Sequence, residues 1–344
     1  MKNKLVLILA LIWLSTSCGC EIVEPPKPGP RVVKVDRVWT LEDNVLGTST
    51  AMTLRDGIAY FADVGKAGVI AVDLESGQVL WNTKNQISGG SIAMLDTGDI
   101  FVGEPILDNT TGKAQIGWYK KDGSFVGIID IGELFWSVRA YSLSTDGKKL
   151  YWGTRFDEDN PDNCGLAMLD PATIVEVTPG KFTATPQIIF KTKTSNSIPG
   201  YVVFDSGMII GNAIARNIVQ GYATQELFAI DANDYHNIWH NVDEFYNGAF
   251  THSILLTGDG TLIVTDYSTP VVVSVSTGEV LKTLEHRWIG DSNIIGNSLY
   301  VAGSSNSSGQ AQVIKYDMTT GKVVWDYNQN KYLGGEPQLE NGIL

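Results

Sequence analysis

Cysteine is scarce in this chain of 344 residues. There are three, and two of them, Cys18 and Cys20, lie within the first twenty positions. Cys164 is far from both, so the spacing supports no disulfide framework, and no CxxC offers a zinc or redox pair. Charge is also sparse, at 18% of residues, and unbalanced: 25 Lys and Arg face 38 Asp and Glu, a net of −13. Such a surface repels phosphates, which argues against nucleic acid as a partner. It is equally unsuited to lying on an anionic membrane. No apolar run after residue 20 is long enough to span a bilayer. A GxSxG nucleophile elbow, a P-loop and an HExxH helix are all missing, which removes the commonest hydrolase, nucleotide and zinc-protease signatures.

What is abundant points elsewhere. Glycine numbers 36, aromatic residues make up 10% and apolar residues 43%. Glycine and aromatics with few charges suit an all-β protein with many tight turns.

The N-terminus stands apart. "MKNKLVLILALIWLSTSCGC" has Lys2 and Lys4, an apolar core from Leu5 to Leu14, then small residues. That is the plan of a secretory signal peptide over residues 1–17, too short for a membrane helix. Its removal takes two Lys and no acid, leaving a net charge of about −15. "LSTSC" resembles a lipobox, with Cys18 the lipidated residue and Cys20 the alternative. The apolar Leu14 stands four before Cys18, where three is usual. Acyl chains insert at about 0.8 kcal/mol per methylene, so several of them anchor firmly. "EIVEPPKPGPR" follows, with four Pro that fix φ and remove donors, so residues 18–31 read as a lipidated Cys and a semi-extended tether.

Residues 32–344 carry a repeat. "VIAVDLESGQVLW" ends at Trp81, "LFAIDANDYHNIW" at Trp239 and "VIKYDMTTGKVVW" at Trp325. In each an Asp (Asp73, Asp231, Asp317) precedes the Trp by eight, and Gly77 and Gly321 recur between. Weaker copies put Lys282 and Phe190 at the Trp place and keep Gly123 and Gly278; the copy holding Asp170 carries an insertion. With Trp39 the Trp-type positions are 39, 81, about 127, 190, 239, 282 and 325. A second signal, a turn followed by a short apolar strand, recurs between them: "RDGIAYFAD", "DTGDIFVGE", "TDGKKLYWG", "DSGMIIGNA", "GDGTLIVTD", "IGNSLYVAG" and the terminal "ENGIL". Asp-Gly and Asn-Gly pairs supply the positive φ of hairpin turns.

Four short strands at this period are a blade of a β-propeller. Seven signals of each kind predict seven blades, with six or eight as alternatives. A strand around residues 32–41 would close the ring against the C-terminal strands. The Asp and Gly belong to a turn and the Trp to a wedge between blades, because a site residue would not recur in every blade.

This pattern resembles the PQQ-like, or quinoprotein alcohol dehydrogenase-like, repeat family over residues 32–344. With the leader and the lipobox-like Cys it also resembles BamB-type envelope lipoproteins. The resemblance implies a propeller and a non-catalytic scaffold; it transfers no partner-binding residue. The family's dehydrogenases are about twice as long and carry a vicinal Cys pair and an Asp base beside calcium. This chain has no vicinal Cys, so no PQQ or other cofactor is expected.

Two clusters remain. "FDEDNPDNCG" places Asp157, Asp159 and Asp162 in one acidic loop, a weak calcium candidate without the full EF-hand order. "HNIWH" sets His236 and His240 on one face if the segment is a strand, with no identifiable third ligand. The expectation is an exported propeller, lipid-anchored in the cell envelope at the outer membrane, monomeric, that binds an envelope protein partner. The alternatives are a surface glycan- or small-ligand-binding lipoprotein, or an enzyme using channel-lining acids.

Overall fold

The computed structural model describes residues 50–63, 68–83, 91–103, 115–132, 143–154, 165–192, 197–217, 222–243, 253–265, 270–284, 292–295, 297–304 and 311–329. All lie in one compact unit, Val35–Leu344. They form 26 strands in six sheets. Blade 1 is β1 (Thr50–Arg55), β2 (Ile58–Asp63), β3 (Gly68–Asp73) and β4 (Val79–Asn82). Blade 2 is β5 (Ser91–Met94), β6 (Ile100–Gly103), β7 (Gln115–Tyr119) and β8 (Phe125–Asp130). Blade 3 starts with β9 (Ser144–Thr145), β10 (Leu150–Gly153) and β11 (Gly165–Leu169). A hairpin, β12 (Val175–Thr178) and β13 (Lys181–Thr183), precedes its last strand, β14 (Gln187–Lys191). Blade 4 is β15 (Ser197–Asp205), β16 (Met208–Asn217), β17 (Tyr222–Asp231) and β18 (Asn237–Asp243). Blade 5 is β19 (Ser253–Leu256), β20 (Thr261–Thr265), β21 (Val271–Ser274) and β22 (Val280–Thr283). Blade 6 is β23 (Ser292–Ile295), β24 (Ser298–Ser304), β25 (Ala311–Asp317) and β26 (Lys322–Gln329).

The fold is a β-propeller, and the expected seven blades are corrected to six. Six of the turn-and-strand signals fall on the second strands β2, β6, β10, β16, β20 and β24. The seventh blade was inferred from Trp39 and from "ENGIL", single-strand signals that do not by themselves build a four-stranded sheet. Both lie outside the described residues, as do the segments 32–41 and 332–344 of the expected ring closure.

The first strands of successive blades touch from β1 through β5, β9, β15 and β19 to β23, so they are innermost. The core sits between blades. Five apolar clusters fill the five successive seams, from blades 1 and 2 to blades 5 and 6. Middle strands are covered on both faces, as in "GVIAV" of β3, and so read as unbroken β-branched runs rather than alternating ones. Each fully buried Val, Leu, Ile or Phe contributes roughly 1.5–3 kcal/mol. Outer strands such as β4 and β22 are largely exposed.

Every outer strand bulges at the same place. One extra residue stands just before the Trp-type position, so Ala71 faces Trp81 while Val72 faces Val79. The same step occurs before Gly127, Phe190, Trp239, Lys282 and Trp325. A bulge twists an edge and re-aims the following side chain.

The interval of 63 residues between positions 127 and 190 is explained by the β12–β13 hairpin. It pairs not with blade 3 but with the outer strand of blade 2, β13 lying parallel to β8. Pro179 and Gly180, with φ +73 at the glycine, make its turn. Phe182 lies against Trp118, with ring centroids 5.3 Å apart, and over Gly127, where a Cβ would stand 2.6 Å from the Phe182 ring. Blade 2 lacks an aromatic at its own Trp place, and a phenylalanine from the next blade covers it.

Candidate functional site

The repeat residues sit in the turns between third and fourth strands and at the blade seams. Asp73 ends β3; its Oδ1 accepts the Ser76 backbone N–H at 2.8 Å and the Ser76 hydroxyl at 2.6 Å. Asp317 accepts the Thr320 N–H at 2.9 Å and Asp231 the Asn233 N–H at 2.7 Å. These bonds hold all three carboxyls below the ordinary carboxylate value; the Ser76 side chain is the main cause at Asp73, and backbone N–H groups are at the other two. Gly77 and Gly321 take φ +71 and +68. Trp81 is half-buried beside Tyr60, and Trp325 stands 6.0 Å from Tyr300. Trp239 is buried and donates its indole N–H to the Val275 carbonyl of blade 5 at 2.8 Å.

Blade 4 is where the repeat departs from itself. Its turn has Tyr235, at φ +61, where blades 1, 5 and 6 have glycine. A bulky residue in the left-handed region is a genuine outlier, kept only where its surroundings over-determine it. Here the surroundings belong to blade 3. Lys149 donates to the Tyr235 hydroxyl at 2.9 Å and lies 5.6 Å above its ring. That bond raises the Lys149 pKa. Tyr151 donates to Asp146 at 3.0 Å alongside, and burial pushes its phenol well up.

The same turn gathers Asp231, Asp234 and His236, whose ligand atoms lie within 4.8 Å of one another. The donor set suits a divalent cation, but its oxygens are engaged locally. Asp234 Oδ1 accepts the His236 N–H at 3.1 Å and meets His236 Nδ1 at 2.5 Å. These bonds lower the Asp234 pKa and raise that of His236. The group completes the turn.

The condition for the two His to share a face is not met: His236 lies exposed in the turn before β18 begins at Asn237, the bulge at Ile238 breaks the alternation beyond it, and the His240 side chain is buried. His240 Nε2 lies 2.8 Å from Glu226 Oε2, with side chains 4% and 0% exposed. Phe190 closes over this pair, 5.0 Å from the imidazole and stacked at 3.9 Å on Phe228. Sequence reasoning missed Glu226, although its spacing from Phe228 and Ile230 places it on their face of β17. A buried acid there requires a partner. Cys18, Cys20, Asp157, Asp159 and Asp162 lie outside the described residues, and so does most of each connection between second and third strands and between blades.

The rim carries a different feature. Among the described residues nine large apolar ones are exposed: Val79 and Leu80 on β4, Val175 and Val177 on β12, Ile238 on β18, Val280 and Leu281 on β22, Val323 and Val324 on β26. All lie on strands at the outer edge of a sheet.

No family model matches this chain, and no curated protein matches its sequence. Solved structures do. A hydrazine synthase of Kuenenia stuttgartiensis is 12% identical, over 81% of this chain and 80% of that one, with a TM-score of 0.54. AztD from Citrobacter koseri is 12% identical, over 86% and 76%, with a TM-score of 0.50. BamB from Moraxella catarrhalis is 12% identical, over 82% and 76%, with a TM-score of 0.48, too low to carry an argument. At such identities the likeness is one of fold, and an enzyme stands among the neighbours. What the matches show is that this chain is similar to β-propellers.

Proposed function

We propose that this protein is a non-catalytic interaction scaffold, a propeller of the PQQ-like type that is exported, held at the cell envelope by a lipid on Cys18, and binds a protein partner. The observation that carries the reading is the placement of exposed apolar side chains. They lie on the outermost strands of five of the six sheets, three times as adjacent pairs just before the Trp-type position, on a surface otherwise rich in acids. Exposed large apolar side chains become a contact surface where a partner covers several at once. Covering one half-exposed Val or Leu contributes about 1 kcal/mol, so a few such pairs with hydrogen bonds suffice for specific association.

The test is photo-crosslinking in the native host. A photoreactive residue at Leu281 or Ile238 is expected to give a discrete protein adduct, and the same residue at Asp122, an exposed turn position, none. No adduct at any rim position overturns the scaffold reading. For the anchor, palmitate labelling should be lost in Cys18→Ala; label retained there and lost in Cys20→Ala would move the lipid to Cys20.

A further inference from the structure

We propose that β12 is a docking edge to which an extended, cationic segment of a partner protein adds as a further strand, an inference that rests on the scaffold reading above. β12 ends the six-stranded sheet, β13 occupies one of its sides, and no strand of the described residues pairs with the other. All four of its residues are exposed. Val175 and Val177 are 59% and 64% exposed, the highest values among the large apolar side chains of the described residues. An edge of this kind offers backbone N–H and C=O groups together with apolar side chains, which another extended chain matches.

Proteins guard such edges with inward charges or proline. Here Pro179 lies in the turn, not on the strand. The single charge of β12, Glu176, accepts the Gly180 N–H on one carboxylate oxygen at 3.3 Å and stays exposed, so it disfavours an acidic strand at the edge and favours a cationic one. The register shifts between Glu176 and Thr178, so Val177 is the bulged residue and the regular edge is Val175 and Glu176 with Val177 beside them. A short strand and a bulge also blunt an edge, so the docked core is short.

Charge selects the occupant. A second copy would set one body of net charge −13 against another. The antiparallel register that pairs Val175 with Val177 of the second copy would also place the two Glu176 directly opposite, and like charges so placed destabilise a strand pair. A segment with apolar residues two apart and a Lys or Arg between them meets Val175 and Val177 with its apolar groups and Glu176 with its charge.

The test uses the full mature chain and a labelled synthetic peptide of alternating Val and Lys, followed by fluorescence anisotropy. The same peptide with its central Val replaced by Pro is the control. The Val–Lys peptide should bind and the Pro peptide should not. Val177→Lys should weaken binding about tenfold or more by replacing an apolar contact with a charge set against a valine of the peptide. Glu176→Lys, at an exposed position, should do the same, and it keeps the test valid if the Val177 variant fails to fold. Glu279→Lys, the same charge reversal at an exposed turn of blade 5, should leave binding unchanged. Equal binding by every variant, or no binding by the native chain, overturns the proposal. So does a dimer in sedimentation that Val177→Lys dissolves, since a second copy would then be the occupant. Photo-crosslinking separates the two readings: adducts at Leu281 with none at Val177 sink the docking edge and leave the scaffold, whereas none at either sinks both.

Discussion

The seam between blades 4 and 5 and the seam between blades 5 and 6 follow one plan with different closing residues. In the first, Trp239 covers Gly278, where a Cβ would stand 2.6 Å from the indole, and Asn241 donates to the Gly278 carbonyl at 2.7 Å. In the second, Lys282 takes the place of Trp and lies over Gly321, where a Cβ would stand 2.6 Å from Cε and Nζ. Its ammonium reaches the Thr319 carbonyl at 3.4 Å. The two glycines share a left-handed φ, +74 and +68. What the seams have in common is the receiving turn, not the side chain it receives. In these two seams the glycine is the shared part of the joint, and the closing residue is free to be aromatic or aliphatic and charged; the turn of blade 4, with Tyr235 at this place, departs from that plan.

The largest effect should come from breaking the richer seam. Trp239→Ala removes a buried ring and its hydrogen bond, and should cost about 3–5 kcal/mol in urea unfolding. Lys282→Ala, at the equivalent place, should cost less than about 1 kcal/mol. Equal losses at the two sites would mean that the closing residue, not the turn, sets seam strength.

The seam between blades 3 and 4 sharpens the contrast, because it is closed over a buried polar pair. His240→Ala leaves the Glu226 carboxylate without this partner, and breaking such a pair costs about 3–5 kcal/mol. Replacing both, as Glu226→Leu with His240→Phe, should recover most of that stability, since an apolar substitute for a buried pair is often neutral. A double-mutant cycle by thermal unfolding checks this; a purely additive loss would mean that the two groups act independently.

The receiving turns come next. Gly278→Ala adds overpacking against a wide ring to the strain of a left-handed φ, and should cost about 2–4 kcal/mol. Gly321→Ala meets the end of a flexible lysine and, at 3.3 Å, Leu284 Cδ2, and should cost about 1–2 kcal/mol, chiefly the backbone term. Differential scanning calorimetry of the two variants compares the seams directly.

The smallest effect concerns pH. The folded pKa values of Asp73, Asp231 and Asp317 lie below the ordinary 3.8. Groups of this kind contribute stability that is present above that value and lost as pH falls through the lower folded one. Melting temperature should therefore decline below about pH 4, and Asp317→Asn should flatten the decline slightly. An unchanged acid limb in the variant would show that the turn carboxylates do not contribute.

The blades were legible because their signals are local. A turn dipeptide and an alternating or apolar run lie within ten residues of each other, and six such pairs became second strands. Blade number was less legible, because Trp39 and the last Asn-Gly carry the same local mark as strands that belong to a complete sheet. The destination of the 175–183 hairpin could not be read at all. "VEVTPGKFT" shows a hairpin, but its partner β8 lies some fifty residues earlier, and the one trace of the pairing is the glycine at position 127. The sides taken by the two His were hidden for a related reason: nothing in "HNIWH" announces that the strand starts only at Asn237 or that a one-residue bulge follows at Ile238.

The hairpin also orders how the chain can assemble. Blade 2 is six strands wide only when residues 181–183 have joined β8, and those residues follow three strands of blade 3 in the chain. As the polypeptide emerges from its N-terminus, four strands of blade 2 wait with an open margin until most of blade 3 has been made. The two blades should then gain protection from hydrogen exchange in a single step, as one cooperative unit.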